Sequence, residues 1–144
     1  MPDKDDFPVE KIMIFGTFDG VHQGHLNMFK QAKRLSKKPY LIVSIARDNN
    51  VLKIKHKLPY NKENKRKKLV EATQIPDKVI LGSMKNYLEH IVNEAPNYIA
   101  LGYDQIHYTK NLKKDLKDLG LTTKIRRLKP YKENIYKNSL LNKK

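Results

Sequence analysis

The fold of this chain is decided near its start, where residues 9–25 read VEKIMIFGTFDGVHQGH. The apolar run at residues 9–15 predicts a β-strand that ends at Gly16. Over residues 23–37 apolar side chains recur near helical spacing, which predicts an α-helix. A strand, a glycine-containing loop and a helix in this order predict the first part of a βαβ unit.

The rest of the chain repeats this alternation of short apolar runs with amphipathic stretches. The run at residues 40–46, YLIVSIA, is continuous and rich in β-branched residues, as expected for a strand buried on both faces of a parallel sheet. Asn61 is predicted to cap a helix and Gly120 to end one. Residues 47–60 are interpreted as a polar crossing segment. Further strands are predicted at residues 78–82, 98–102 and 122–128, and further helices at residues 62–73, 84–94 and 109–119.

Strands that alternate with helices predict an α/β fold, here a Rossmann-like open parallel five-stranded sheet with helices on both faces. A single domain is expected over residues 1–144, because the length suits one domain and no Gly/Ser-rich linker or internal repeat divides the chain. Residues 1–8 are expected to be flexible. Residues 129–144 are expected to form a basic C-terminal segment with a short helix at residues 135–141.

Composition limits the chemistry that this chain can perform. It contains no cysteine, which excludes disulfides, thiolate metal sites and cysteine nucleophiles. No run of 18 apolar residues predicts a transmembrane helix, and the acidic start does not resemble a secretory signal, so we expect a cytoplasmic protein. Thirty Lys and Arg against fifteen Asp and Glu give a formal charge of +15. This charge attracts nucleotides, phosphorylated metabolites, nucleic acid or anionic membrane surfaces, and does not choose among them.

The residues with unusual chemistry follow predicted strands, at the carboxyl ends where open α/β sheets bind ligands. Three segments are placed there: residues 17–25, 47–56 and 103–107. In the first, His22 and His25 flank Gly24 at the predicted helix start, where backbone N–H groups and the helix dipole favour an anion. The alternatives are a surface histidine pair or a metal site, which would need a third ligand. The position of the pair after a buried strand favours phosphate binding.

Residues 16–19, GTFD, and residues 22–25, HQGH, together resemble the signature of the cytidylyltransferase-like nucleotidyltransferase superfamily. Later segments match in the same order: residues 47–50 followed by two lysines, an arginine at position 66, and residues 101–105, LGYDQ. The LGYDQ segment and the tail at residues 131–139, YKENIYKNS, are similar to the archaeal FAD synthetase (FMN adenylyltransferase) type. The sequence lacks the Gly-Asp-Asp turn and the C-terminal motif that are typical of glycerol-3-phosphate cytidylyltransferases.

The resemblance implies that an acceptor phosphate attacks the α-phosphorus of a nucleoside triphosphate in line and expels pyrophosphate. The expected reaction is transfer of AMP from ATP to FMN, giving FAD. The alternative is a transferase that uses CTP or ATP with glycerol-3-phosphate or a sugar phosphate, and a basic nucleic-acid-binding module is a remote alternative. Mg²⁺ or another divalent cation would accompany the triphosphate, with no protein ligand assigned. Flavin would be a substrate, no membrane partner is expected, and a homodimer is plausible for this superfamily.

The resemblance also implies roles for the matching residues. His22 and His25 are the expected catalytic residues, with hydrogen bonds to the α- and β-phosphate oxygens. Asp19 is expected to brace the loop. The charges expected to neutralise the triphosphate and the acceptor phosphate belong to Lys53, Lys55 and Arg66, with Lys57 an equally basic neighbour. Nucleotide contacts are expected from Thr17, Phe18, Gln23, Gly24, Asp104, Tyr131 and Ser139, with Tyr136 as the alternative to Tyr131.

Overall fold

The structure is a computed structural model that describes residues 6–83, 88–102, 105 and 109–130. Within these residues, strands and helices alternate along the chain. In order they are β1 (Glu10–Gly16), α1 (Gln23–Lys33), β2 (Pro39–Ile45), α2 (Asp48–Lys55), α3 (Glu63–Glu71), β3 (Lys78–Leu81), α4 (Leu88–Glu94), β4 (Tyr98–Leu101), α5 (Thr109–Asp118) and β5 (Lys124–Arg127). No helix in the described ranges has the length and hydropathy needed to cross a bilayer.

The five strands form one parallel sheet in the order β3-β2-β1-β4-β5. The chain builds outward from β1 through β2 to β3, and then returns to the other side of β1 with β4 and β5. The sheet therefore reverses its direction of growth between β1 and β4, and in open α/β sheets the ligand crevice lies at this switch point. The predicted parallel α/β architecture is confirmed.

Alternate residues of β1 face two separate hydrophobic cores. Ile14 faces the core that contains Phe29 of α1 and Val70 of α3. Phe15 faces the opposite core, which contains Ile91 of α4 together with side chains of α5. Because both faces of the central strands are covered, their buried positions are apolar apart from Ser44 of β2, and burial of each large side chain contributes about 1.5–3 kcal/mol.

One helix lies in the segment that we interpreted as a polar crossing. Residues Asp48–Lys55 form α2, yet Val51 is its buried residue and both Leu52 and Ile54 are exposed. A helix that buries so little has no apolar stripe of period 3.6, so its sequence does not carry the usual signal.

The boundary predictions have mixed outcomes. Gly120 does end α5: its φ is +73°, its N–H donates to the Lys117 carbonyl, and the Leu121 N–H donates to the Leu116 carbonyl. The first helix ends at Lys33 instead of residue 37, because the chain turns there to enter β2 at Pro39. The predicted helix at residues 135–141 lies outside the described residues, and the flexibility of residues 1–8 stays a prediction.

The prediction that Asn61 caps α3 is wrong. The N-cap position is Lys62, and its side chain makes no capping hydrogen bond. The first residues of two helices cap each other instead: the Asp48 N–H donates to Glu63 Oε1 at 2.9 Å, and the Glu63 N–H donates to Asp48 Oδ2 at 3.3 Å. A cap supplied by another helix leaves no local pattern in the sequence.

Candidate active site

A buried aromatic ring shapes the loop between β1 and α1. Phe18 has a φ of +54° and is 4% exposed, and its ring lies 5.1 Å from the His25 ring and 5.6 Å from the Phe29 ring. A Cβ built on Gly16 would come within 2.6 Å of the Phe18 ring, so this close approach requires glycine. The ring lies in the core and supports His25. The expected contact of Phe18 with the nucleotide stays a prediction, and with the ring buried it would be made by the backbone of the loop.

His22 and His25 are held at the start of α1 by a reciprocal pair of hydrogen bonds. The Gly24 N–H donates to His22 Nδ1 at 3.0 Å, and the His22 N–H donates to His25 Nδ1 at 3.3 Å. The two rings are stacked, with centroids 3.9 Å apart. Because both Nδ1 atoms accept hydrogen bonds, each neutral ring carries its proton on Nε2. The cap therefore selects the tautomer, and Nε2–H is the donor that each imidazole can offer to an anion.

The environment keeps both imidazoles neutral. Burial lowers the pKa of His22, and burial together with the neighbouring His22 lowers the pKa of His25 from 6.5 to about 4. A protonated ring would also lose its Nδ1 acceptor and break the cap. At neutral pH the pair therefore presents two uncharged N–H donors.

The lowered pKa of His25 predicts a pH dependence of stability. The unfolded chain binds a proton at His25 near pH 6.5 and the folded chain only near pH 4, so the free energy of unfolding should fall as pH drops through this window. The slope from this group should approach about 1.4 kcal/mol per pH unit. Urea denaturation between pH 7.5 and 4 would measure it. In a His25→Gln variant, which keeps a good capping residue, the curve should be flatter, and identical slopes would contradict the assignment.

The loop is also tied to the segment that precedes α3. The Asp19 carboxylate accepts hydrogen bonds from the Tyr60 N–H at 2.6 Å and the Asn61 N–H at 2.7 Å. Both carboxylate oxygens of Asp19 thus hold the segment before α3 against the loop, which is the bracing role expected for this residue. Tyr60 and Asn61 follow the segment that carries the exposed Lys53 and Lys55. Asp19 therefore anchors the C-terminal end of that segment beside the histidine loop.

Arg66 lies under this loop, and its side chain is fully buried. Its Nη1 donates to the Thr17 carbonyl at 2.8 Å, its Nε to the Asn61 carbonyl at 3.0 Å, and its Nη2 to Asp48 Oδ1 at 2.6 Å. In this structure no part of the Arg66 side chain is exposed, and its expected contact with a phosphate stays a prediction. The guanidinium is directed into the protein, where it holds the loop through Thr17.

Two further charges complete this network, and the sequence reasoning assigned neither of them. Glu63 Oε2 accepts from Arg47 Nη1 at 2.9 Å, and Arg47 Nε donates to the Gly82 carbonyl at 2.8 Å. Together with Asp48 and Arg66 they form two ion pairs of zero net charge that join the ends of β1, β2 and β3. The one available signal was position, since Arg47 and Asp48 follow β2 directly.

The remaining predicted residues are placed as follows. Gln23 is exposed at the first position of α1, and the Gly24 N–H donates to the His22 side chain, which caps the helix. Lys53 and Lys55 are exposed in the last turn of α2, as is Lys57 beyond it. The described residues include no group of three His, Asp or Glu side chains that could hold a metal ion. The predictions that lie outside the described residues are Asp104, Tyr131, Tyr136 and Ser139.

Fold and site together define a nucleotidyltransferase-type domain, and comparison with known proteins identifies its class. The model of the cytidylyltransferase-like family matches residues 13–139, so the chain belongs to this family. The chain is 34% identical to the FAD synthase of Thermoplasma acidophilum, over 93% of this chain and 92% of that protein. It is 40% identical to the FAD synthase of Methanosarcina barkeri, over 85% of this chain and 86% of that protein. The predicted resemblance to archaeal FAD synthetases is confirmed.

Solved structures give the same architecture. A lipopolysaccharide core biosynthesis protein from Thermoplasma volcanium is 33% identical to this chain, with a TM-score of 0.77 over 85% of this chain and 98% of that one. Pantothenate synthetase from Thermus thermophilus shares 12% identity, with a TM-score of 0.61 over 87% of this chain and 58% of that one. At that identity the second likeness concerns the fold alone.

Proposed function

We propose that this chain is an FMN adenylyltransferase, which transfers AMP from ATP to FMN and releases pyrophosphate. The observation that carries the proposal is the histidine pair, with its Nε2–H donors selected by the cap at the carboxyl end of β1. Relatives named FAD synthase, which match more than four-fifths of the chain at 34–40% identity, support the choice of substrates.

In the proposed reaction, a phosphate oxygen of FMN forms a bond to the α-phosphorus of ATP. The bond from that phosphorus to the bridging oxygen of the β-phosphate breaks, and pyrophosphate leaves with the electron pair. A phosphate oxygen is already ionised at neutral pH, so no general base is needed. The chain contributes orientation and charge stabilisation, with His22 and His25 donating to the phosphate oxygens on which negative charge accumulates.

The neutral state of the two imidazoles suits this role. A neutral donor at a fixed distance stabilises developing charge without first having to be desolvated or reoriented. The braces through Asp19 and Arg66 would keep the donors in place, because they hold the loop from two directions. We therefore assign Arg66 as a positioning residue, acting through Thr17.

The divalent cation is proposed to arrive with ATP as part of the substrate. It would neutralise charge on adjacent phosphates, which usually supply most of its ligands together with water.

The proposal is tested by pairing donors with acceptors in a turnover assay. ATP or CTP with Mg²⁺ would be combined with FMN, glycerol-3-phosphate or a heptose phosphate, and the products separated by chromatography. FAD should form from ATP and FMN at the highest kcat/KM. Preferred turnover of another pair would replace FMN adenylyltransferase by the related cytidylyl- or adenylyltransferase, and absence of FAD with several divalent metals would overturn the assignment.

The exposed lysines of α2 are proposed to attract the phosphorylated substrates. Changing both Lys53→Gln and Lys55→Gln should raise KM for FMN or ATP roughly tenfold, about 1.4 kcal/mol, with little change in kcat. The matched control is Lys113→Gln with Lys114→Gln, which removes the same charge from exposed positions of α5. An equal rise of KM in the control would show that net charge alone is responsible.

A further inference from the structure

The hydrogen-bonded pairing between the central strands β1 and β4 is short. Strand β1 pairs with β2 over seven residue pairs, but with β4 only at Ile12↔Tyr98 and Met13↔Ile99. If that register continued, Gly102 would stand opposite Gly16, and its N–H would point at the carbonyl of Phe15. The sheet therefore opens at the switch point, where a ligand crevice is expected.

A side-chain amide occupies the place of the missing backbone hydrogen bond. The Gly102 N–H donates to Gln105 Oε1 at 2.7 Å, and Gln105 Nε2 donates to the Phe15 carbonyl at 2.6 Å. One carboxamide thus satisfies both groups that a continued ladder would have joined directly. It acts as an inserted peptide group, which closes the hydrogen bonding while keeping the strands apart.

We propose that Gln105 is a positioning residue that sets the width of the nucleotide crevice by separating the ends of β1 and β4. This inference rests on the proposed function, since it takes ATP as the ligand of the crevice. The residue is coupled to both borders of the crevice, because Phe15 leads into the loop of Thr17 and the histidines, and Gly102 directly follows β4.

A second contact holds Gly102 in place. Arg127, at the end of β5, donates from Nη1 to the Gly102 carbonyl at 2.8 Å. The Gln105 N–H also donates to the Gly102 carbonyl, at 3.1 Å. Gly102 is therefore held on one side by β5, and Gln105 fixes its distance from β1 on the other. Removal of the carboxamide would let Gly102 approach Phe15 directly and narrow the crevice.

The test measures ATP affinity and turnover in parallel. In Gln105→Ala, the Kd of ATP by calorimetry should rise at least tenfold, and kcat/KM for FAD formation should fall by a similar factor. Gln105→Glu keeps the length and the acceptor for Gly102 but has no proton for the Phe15 carbonyl, so it should weaken ATP binding as well. If the alanine variant does not fold, the Kd of ATP for Gln105→Glu tests the proposal instead.

The matched control is Asn97→Ala. Asn97 lies at the opposite end of the same strand pair, where its Oδ1 accepts from the Lys11 N–H at 2.9 Å. It should lower the melting temperature about as much as Gln105→Ala does, while ATP affinity stays within twofold of the wild type. Equal losses of affinity in both variants, or none in Gln105→Ala, would overturn the role of Gln105.

The outcomes also separate this inference from the proposed function. A wild-type chain that binds ATP but makes no FAD would refute FMN adenylyl transfer, while a selective loss of ATP affinity in Gln105→Ala would still support the crevice role. A wild-type chain that makes FAD, with unchanged ATP affinity in Gln105→Ala, would refute the crevice role alone. A wild-type chain that does not bind ATP would refute both.

Discussion

Replacing His22 by asparagine is expected to lower kcat for FAD formation by roughly 10²–10³-fold, equivalent to about 3–4 kcal/mol of barrier. His25→Gln should have an effect of the same size. Each variant removes one Nε2–H donor from the transition state. Asparagine at an N-cap and glutamine three positions later both suit these helix positions, so the start of α1 should remain intact. Steady-state kinetics with saturating ATP and FMN would measure the loss.

The control for this prediction is His56→Asn. His56 is exposed and adopts a left-handed conformation with a φ of +62°, which asparagine tolerates. Its kcat should stay within a factor of two of the wild type, and its unfolding should be unchanged. If His22→Asn and His25→Gln also kept kcat within a few-fold, the imidazoles would not be stabilising the transferred phosphate, and the proposed mechanism would be wrong.

Replacing Arg66 by methionine is expected to lower the free energy of unfolding by about 3–5 kcal/mol. The variant leaves the Asp48 carboxylate without its Arg66 partner, and the Thr17 and Asn61 carbonyls lose their donors in a partly buried setting. Total stabilities of small proteins are only about 5–15 kcal/mol, so this loss would be visible at once in urea or thermal denaturation.

Lys65→Met is the control for Arg66, because Lys65 is the preceding, exposed residue of the same helix. Its effect should lie within about 0.5 kcal/mol. The pair Arg66→Met with Asp48→Asn should recover part of the loss, since the second change removes the uncompensated charge. A loss below about 1 kcal/mol in Arg66→Met would mean that the buried ion pair does not hold the loop.

Much of the fold could be predicted because a buried strand or helix shows a pattern of apolar residues in the local sequence. The run at residues 40–46 is apolar apart from Ser44, and β2 is buried from Leu41 to Ile45. Helix α2 was not predicted, because it buries only Val51 and therefore shows no such apolar pattern. The network of Arg47 and Glu63 also escaped prediction, because a charged residue looks the same in sequence whether it faces water or an ion-pair partner.

The site likewise contains contacts between neighbouring residues, which the sequence could predict, and contacts between distant residues, which it could not. His22 and His25 could be placed from the sequence because helix capping joins residues two or three positions apart, and such contacts leave a short motif. The burial of Arg66 and the bridge made by Gln105 were decided only by the tertiary structure. Their partners Thr17 and Phe15 lie 49 and 90 positions away in the chain, and no local spacing encodes contacts at such separations.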